Sequence, residues 1–366
     1  MRIEPFAIFR HGPISQIQIE IAMYFNINIK SGICINIQIM KIIHMSNYLG
    51  IESTSHTYGI GIIEQLPAGV KILANETDMY KPEKGGIHPI EARNHHMKVR
   101  DTVLDNALKK SGLSLDQLDF VCFSQGPGLP PCLKVGLEHA KELSRKLKKP
   151  LIGVNHAVAH IEIGKFITKC KDPVIVYISG GNTQIIIETK NKYKICGETL
   201  DISLGNAGDV VARELGYSYP GSYYMEKEHG NYIELPYVVK GMDVSFSGIA
   251  TEAVKKYKSG TKKQDIAYSF FENVFCMITE VTERALSHTG KKQVLLIGGV
   301  ASSPILQKKM KIMCSDREAE CFTIPREYAS DNGAMIAVAG IKYKNILNPD
   351  EADFMQKCRV DDLSQV

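Results

Sequence analysis

The sequence predicts a duplicated α/β fold of two lobes facing a cleft, because three pairs of matched segments follow one another in the same order. "YLGIESTSHTYGIGII" (48–63) is echoed by "VIVYISGGNTQIIIE" (174–188): an apolar strand, a Ser/Thr/Gly turn and a second apolar strand. "LDFVCFSQGPGLPPCLKVGLEHAKELSRKL" is matched by "KQVLLIGGVASSPILQKKMKIM", each a buried strand running through a Gly-rich turn into a basic helix. "PLIGVNHAVAHIEIG" is matched by "CFTIPREYASDNGAMIAVAG", each a strand, a loop and a helix.

The elements divide the chain into a first lobe over 45–172, a second over 173–345 and a C-terminal tail over 346–366. The second copy is longer, and its excess, about 199–260, carries "LGNAGDVVARELG" (204–216) and "KGMDVSFSGIATEA" (240–253), both rich in Gly and polar residues. A long insertion without a core of its own is expected to be functional. Residues 1–44 read differently: fourteen are isoleucine, many alternating with polar residues. They are expected to be a low-complexity extension to a functional chain beginning at Met45, the alternative being an accessory hairpin.

A hydrophobic fraction of 44% and a charged fraction of 23% are those of a globular protein rather than a disordered one. No apolar run approaches a membrane span and no secretory signal opens the chain, so a cytoplasmic location is expected. Nine scattered cysteines with no CxxC pair argue against a disulfide framework and against a thiolate zinc site. Outside residues 1–44 the chain has 40 basic and 38 acidic side chains, so a nucleic-acid partner must be held by local patches or by other subunits. The basic runs 141–149 and 255–263 read as solvated surface.

His156 and His160 stand four apart, so on a helix both imidazoles face the same way, as a shared metal ion requires. The same spacing also occurs in ordinary packing, and in half of a protease zinc site. The pseudo-symmetry adds a third group: the helix after His156 corresponds to the one beginning near "SDNGAMIA", which turns Asp331 toward the pair across the cleft. Two imidazoles and a carboxylate suit zinc or iron. A zinc protease of the HExxH type needs Glu directly after the first His, where this chain has Ala157; Glu162 points away from the His face.

"YISGGNT" (177–183) exposes backbone N–H groups in a tight hairpin, and "GGVASSP" ends a strand and starts a helix with Ser303 as N-cap and Pro304 at the first position. Anions settle at such places. With no GxxxxGK[ST] and no GxGxxG, a nucleotide clasped between related lobes, as in the actin, Hsp70 and sugar-kinase architecture (ASKHA), is expected instead of a P-loop or dinucleotide fold.

Eight ordered motifs, "GGIHPIEARNHH", "SQGPGLPPCLKVG", "NHAVAHIEIG", "YISGGNTQ", "GNAGDVVAREL", "LPYVVKGMDVSFSG", "LLIGGVAS" and "SDNGAMIA", resemble the tRNA N6-adenosine threonylcarbamoyltransferase family. The resemblance covers Met45 to about Lys344 and is greatest to the archaeal and eukaryotic branch, the catalytic subunit of the KEOPS complex. It implies the two-lobe fold and transfer of threonylcarbamoyl from threonylcarbamoyl-AMP to the exocyclic amine of the adenosine after the anticodon in ANN-decoding tRNAs. It also implies His156, His160 and Asp331 as catalytic metal ligands, with Tyr177 as a further ligand to one iron or zinc ion. The adenylate would be held by Tyr177, Ile178, Ser179, Gly180 and Gly181 through the backbone, and by Asp209 and Glu226.

Three departures bear on that adenylate site: Ser222 where the family has Gly, Ser303 where Asn is typical, and Pro130 where Gly is usual in a loop near the cleft. Within 366 residues there is no room for the kinase-like ATPase domain fused to some archaeal relatives. A separate ATPase subunit, a small dimerising subunit, a regulatory subunit and tRNA are therefore the expected partners, with weak tRNA binding by this chain alone. The competing classes are a metallopeptidase, which the missing Glu disfavours, and a non-catalytic nucleotide-binding scaffold, which the joint presence of His156, His160 and Asp331 disfavours.

Overall fold

The computed structural model describes residues 45–82, 86–218, 220–342 and 345–362; the extension expected over 1–44 lies outside the described residues. Strands β1 (Ser46–Glu52), β2 (Thr57–Leu66) and β3 (Gly69–Met79) form an antiparallel meander. Helix α1 (Pro89–Ser111) leads to β4 (Phe120–Gly126), which lies parallel to β1; α2 (Pro130–Leu147) leads to β5 (Leu151–Asn155), parallel to β4, and α3 (His156–Thr168) follows at once. The plan then repeats. The strands β6 (Val174–Ile178), β7 (Thr183–Thr189) and β8 (Lys192–Glu198) make the second meander.

An insertion follows, with α4 (Leu204–Glu214), α5 (Gly221–Met225), the short pair β9 (Val239–Lys240) and β10 (Asp243–Val244), and α6 (Ser247–Lys258). Helix α7 (Lys263–Thr289) feeds β11 (Gln293–Ile297), parallel to β6; α8 (Pro304–Asp316) feeds β12 (Glu320–Thr323), parallel to β11; α9 (Arg326–Ala329) and α10 (Gly333–Lys342) come next. A last strand, β13 (Ile346–Leu347), adds antiparallel to β5. The strand orders β3-β2-β1-β4-β5 and β8-β7-β6-β11-β12 are the same, so the duplication read from the matched segments is present in the topology.

Five layers result. Helices α1 and α2 cover the outer face of the first sheet, and α4, α6, α7 and α8 cover the outer face of the second. Helices α3 and α10 lie between the sheets, which is why "HAVAHIEIG" and "GAMIAVAGIK" are apolar nearly all round. Each crosses over: α3 leaves the first sheet and packs on β11 and β12, while α10 leaves the second and packs across β1 and β2. Glycines set how closely α10 approaches. A Cβ on Gly61 would stand 2.1 Å from the Ala334 nitrogen, and one on Gly50 would stand 2.3 Å from the Gly333 oxygen. Because the obstructing atoms are backbone, Gly61→Ala must push α10 and the turn before it away from the sheet. We expect a loss of about 3 kcal/mol or more in urea unfolding, the upper end of overpacking costs, together with loss of activity.

The insertion has no separate core: Leu204, Val211, Phe246, Ile249 and Ala253 join Phe270, Val274 and Ile278 of α7 in one buried cluster that the insertion shares with the rest of the second lobe. The structure corrects one local expectation: Pro130 does not stiffen a loop but is the first residue of α2, where a fixed φ and a missing N–H suit the helix start. The basic runs are solvated and paired, through Arg145 with Asp350, Lys149 with Asp119, Lys255 with Glu252 and Lys258 with Glu214. Eight cysteines fall among the described residues, five of them buried. No helix among the described residues is long and apolar enough to cross a membrane. The tail runs back along the first sheet, with the Met355 N–H donating to the Gln125 oxygen, and Arg359 pairs with Glu198 of the second.

Candidate functional site

Strand β5 ends at Asn155, whose side-chain oxygen accepts from the N–H groups of Ala157 (2.9 Å) and Val158 (3.1 Å) and so caps α3. The cap makes His156 the first helical residue and sets His160 one turn on, the two rings 4.7 Å apart between centroids and nearly perpendicular. Asp331 lies in the turn before α10, held by the glycine contact below it and by Asn332, which accepts from the Met335 N–H at 3.0 Å. Its Oδ1 is 3.2 Å from His160 Nε2 and 3.6 Å from His156 Nε2. The ligand atoms of the three residues lie within 4.8 Å of one another.

A fourth group, not anticipated from sequence, completes this cluster. Glu52, at the end of β1 and fully buried, accepts from His156 Nδ1 at 3.0 Å, while its other oxygen accepts from the Thr54 N–H and hydroxyl, each at 2.6 Å. With its Nδ1 proton directed to Glu52, His156 in the neutral form turns the Nε2 lone pair toward Asp331, the outer-shell arrangement of a metal-ligating histidine. Burial disfavours the imidazolium at His156, yet Glu52 and Asp331 outweigh it and hold the pKa up at about 9. At His160 burial prevails and the pKa is lowered. Burial opposes ionisation of Asp331 too, but His156 and the His160 hydrogen bond keep it well below the usual carboxylate range.

The donor set fits a cation. Among the described residues the ion-pair partners of Glu52 and Asp331 are imidazoles alone, so no Lys or Arg neutralises these two carboxylates. Two nitrogens and one oxygen converge from two elements, and this is the only such group of three among the described residues.

Tyr177, buried near the end of β6, lies beside His160 with ring centroids 5.3 Å apart; its hydroxyl accepts from Asn182 Nδ2 at 3.3 Å. The side chain of Ile178 is in the core, leaving only its backbone for a ligand. Beyond it the hairpin turn is built on Ser179, whose hydroxyl accepts from the N–H groups of Gly181 (3.3 Å) and Asn182 (3.1 Å). Side chains at Gly180 or Gly181 would meet nothing within 4 Å, so this backbone is open on one side. The start of α4 presses against the turn: Ser203 donates to the Gly180 oxygen at 2.5 Å, and a Cβ at Gly205 would be 2.5 Å from the Ser179 oxygen.

The remaining sequence-predicted residues form two pairs on the insertion side. Ser222 donates to Asp209 at 2.7 Å and Ser303 donates to Glu226 at 2.6 Å, while burial raises the pKa of both carboxylates against these hydrogen bonds. Ser303 also caps α8 by accepting from the Leu306 N–H at 3.2 Å, as expected of it. The departures at 222 and 303 therefore each place a hydroxyl on a carboxylate that the resemblance assigns to the adenylate.

Glu52 escaped notice because a polar residue at a strand end fits ordinary alternation; the available signal was a lone carboxylate closing the apolar run "YLGI". His56, in the turn after β1, was also passed over. It lies near enough to Asp331 and Asp209 to interact electrostatically with both. Glu162, as expected, looks elsewhere, accepting from Tyr193 at 2.5 Å and Lys342 at 2.9 Å.

Residues 71–338 match the family described as tRNA N6-adenosine threonylcarbamoyltransferase. The chain is 49% identical over 298 residues to the protein of that name from Thermococcus kodakarensis, covering 80% of this chain and 90% of that one. It is 46% identical to a "probable bifunctional tRNA threonylcarbamoyladenosine biosynthesis protein" from Methanococcus vannielii, of which it spans about half, 53%. Among solved structures it is similar to T. kodakarensis HypF, with a TM-score of 0.59 and 14% identity, over 82% of this chain and 47% of that one. That likeness concerns the fold alone, which is the two-lobe actin/Hsp70/sugar-kinase type.

Proposed function

The chain belongs to the tRNA N6-adenosine threonylcarbamoyltransferase family and is a transferase of tRNA modification; we propose that it moves the threonylcarbamoyl group from threonylcarbamoyl-AMP to the N6 amine of the adenosine following the anticodon in ANN-decoding tRNAs. We place it in the cytoplasm as the catalytic subunit of a KEOPS-type complex, with the kinase-like ATPase, the small dimerising subunit and the regulatory subunit as separate chains. The observation that carries this reading is the convergence of His156, His160 and Asp331 in a buried cluster with no balancing Lys or Arg among the described residues.

His156, His160 and Asp331 would hold one iron or zinc ion, with Tyr177 as a fourth ligand on the His160 side. Such an ion, when bound, supplies Lewis acidity to a carbonyl oxygen. Glu52 fixes the His156 ring, so the cluster is arranged before substrate arrives. The turn at Gly180 and Gly181, open on one side, leaves room for the AMP phosphate, and the Gly180 N–H would donate to it as negative charge grows on the departing AMP; the Gly181 N–H is already given to Ser179. Asp209 and Glu226, already accepting hydroxyl hydrogen bonds, are suited to the ribose hydroxyls. The acceptor adenine must leave the anticodon-loop stack to enter. A peptidase would need a base where Ala157 stands, and Glu162 is engaged by Tyr193 and Lys342.

The test is to supply purified threonylcarbamoyl-AMP and an ANN-decoding transcript to the metal-loaded chain with its partner subunits and score modified adenosine by mass spectrometry. Modification confined to the adenosine after the anticodon is expected. Absence of product under conditions where a known family member turns over would overturn the reading.

A further inference from the structure

We propose that Tyr223, Tyr224, Lys227 and Arg326 form a platform on which unpaired bases of the tRNA anticodon loop stack beside the acceptor adenosine. The proposal rests on the tRNA-acceptor reading above and adds the surface that receives the loop. Tyr223 and Tyr224 are adjacent on α5, 41% and 49% exposed, with ring centroids 5.5 Å apart in an edge-to-face arrangement. Exposed Tyr232 and Tyr237 are tethered through their hydroxyls to Asn273 and Glu280. Tyr223 is engaged by cations, both at its ring and through side-chain hydrogen bonds: Lys227 Nζ is 3.8 Å from its ring centroid and the Arg326 guanidinium 5.2 Å.

The position matters as much as the composition. Ser222, immediately before the two rings, bonds Asp209, and Glu226, two residues after Tyr224, bonds Ser303, so the rings sit on the rim of the proposed adenylate pocket. Arg326 begins α9, five residues before Asp331, so the platform joins the insertion to the element that delivers the carboxylate of the metal cluster. Acids stand nearby as well: Glu226 accepts from Ser303 and its charge interacts with Lys227, Glu228 accepts from Tyr217 at 2.8 Å, and Glu327 acts on Lys110; Lys227 and Arg326 are the cations that lie against the Tyr223 ring. Exposed aromatic faces interleaved with Lys and Arg are what single-stranded nucleic acid requires, base on ring and phosphate on cation. A duplex, whose bases are hidden, makes no use of the rings.

The experiment compares the wild-type chain, the Tyr223→Ala/Tyr224→Ala pair and the Tyr223→Phe/Tyr224→Phe pair, each full-length with its partner subunits. The readouts are KM for tRNA, KM for threonylcarbamoyl-AMP, kcat, and quenching of 2-aminopurine placed in the loop of an anticodon stem-loop RNA. We expect the alanine pair to raise KM for tRNA about tenfold, as loss of a base stack does, and to lose the quenching. Its kcat and adenylate KM stay within about twofold, and the phenylalanine pair restores both KM for tRNA and quenching. An alanine pair that matches wild type in both overturns the platform. So does a change in adenylate KM alone, or weakened partner-subunit binding with quenching intact. A wild-type chain that quenches the loop base but transfers nothing would instead overturn the transferase reading and leave the platform in place.

Discussion

Replacing His156 with alanine is expected to abolish transfer from supplied threonylcarbamoyl-AMP, by at least about 1,000-fold, since Lewis-acid stabilisation is worth several kcal/mol and each 1.4 kcal/mol is a factor of ten. The substitution removes one of three converging donors and also leaves Glu52 buried without the imidazole it pairs with. Part of the effect is therefore structural. Asp331→Asn separates the two: it keeps the shape of the turn before α10 and weakens only the charge and donor strength. Both variants should fold, by circular dichroism and unfolding midpoint, and both should be inactive. Near-normal turnover in either would remove the metal from the mechanism.

The second large effect is at Glu52. Glu52→Gln retains the volume and an acceptor oxygen but removes the negative charge that fixes the His156 tautomer. Outer-shell changes of this kind lower metal affinity by about 10- to 100-fold, measurable by competition with a chelator. The sign with pH also follows. In the metal-free protein His156 has a pKa raised to about 9 above an ordinary value of 6.5, so its ion pairs contribute stability that is complete below about 6.5 and is lost as pH rises through 9. Ligation requires the proton to leave, so metal affinity should climb across the same interval. Glu52→Gln lowers the His156 pKa and moves both trends to lower pH; identical pH profiles for the two proteins would contradict the pairing.

Much of this architecture was legible from the chain. Strand–turn–strand units separated by strand–helix units report their own repetition, and placing Asp331 opposite the histidines needed only that repetition. The crossing of α3 and α10 was not legible. An apolar helix declares that it is buried but not against which sheet, and the choice rests on a close approach at Gly50 and Gly61 that periodicity does not register. Glu52 was hidden for a related reason: its role depends on His156, 104 residues away. How the insertion packs was not legible either, because Leu204, Val211 and Phe246 are buried by a helix that comes later in the chain. The pairs Ser222–Asp209 and Ser303–Glu226 show the same limit, for residues read from sequence as departures turn out to be hydrogen-bonded to the carboxylates they adjoin.

The central claim is that one cation is held between the lobes by His156, His160 and Asp331. Anomalous diffraction from crystals of the iron- or zinc-loaded protein, at the absorption edge of the metal, tests it most directly. The expected result is a single peak about 2.0–2.2 Å from His156 Nε2, from His160 Nε2 and from an Asp331 carboxylate oxygen, lost in His156→Ala. A peak elsewhere, or full occupancy that survives His156→Ala and Asp331→Asn, would contradict the claim.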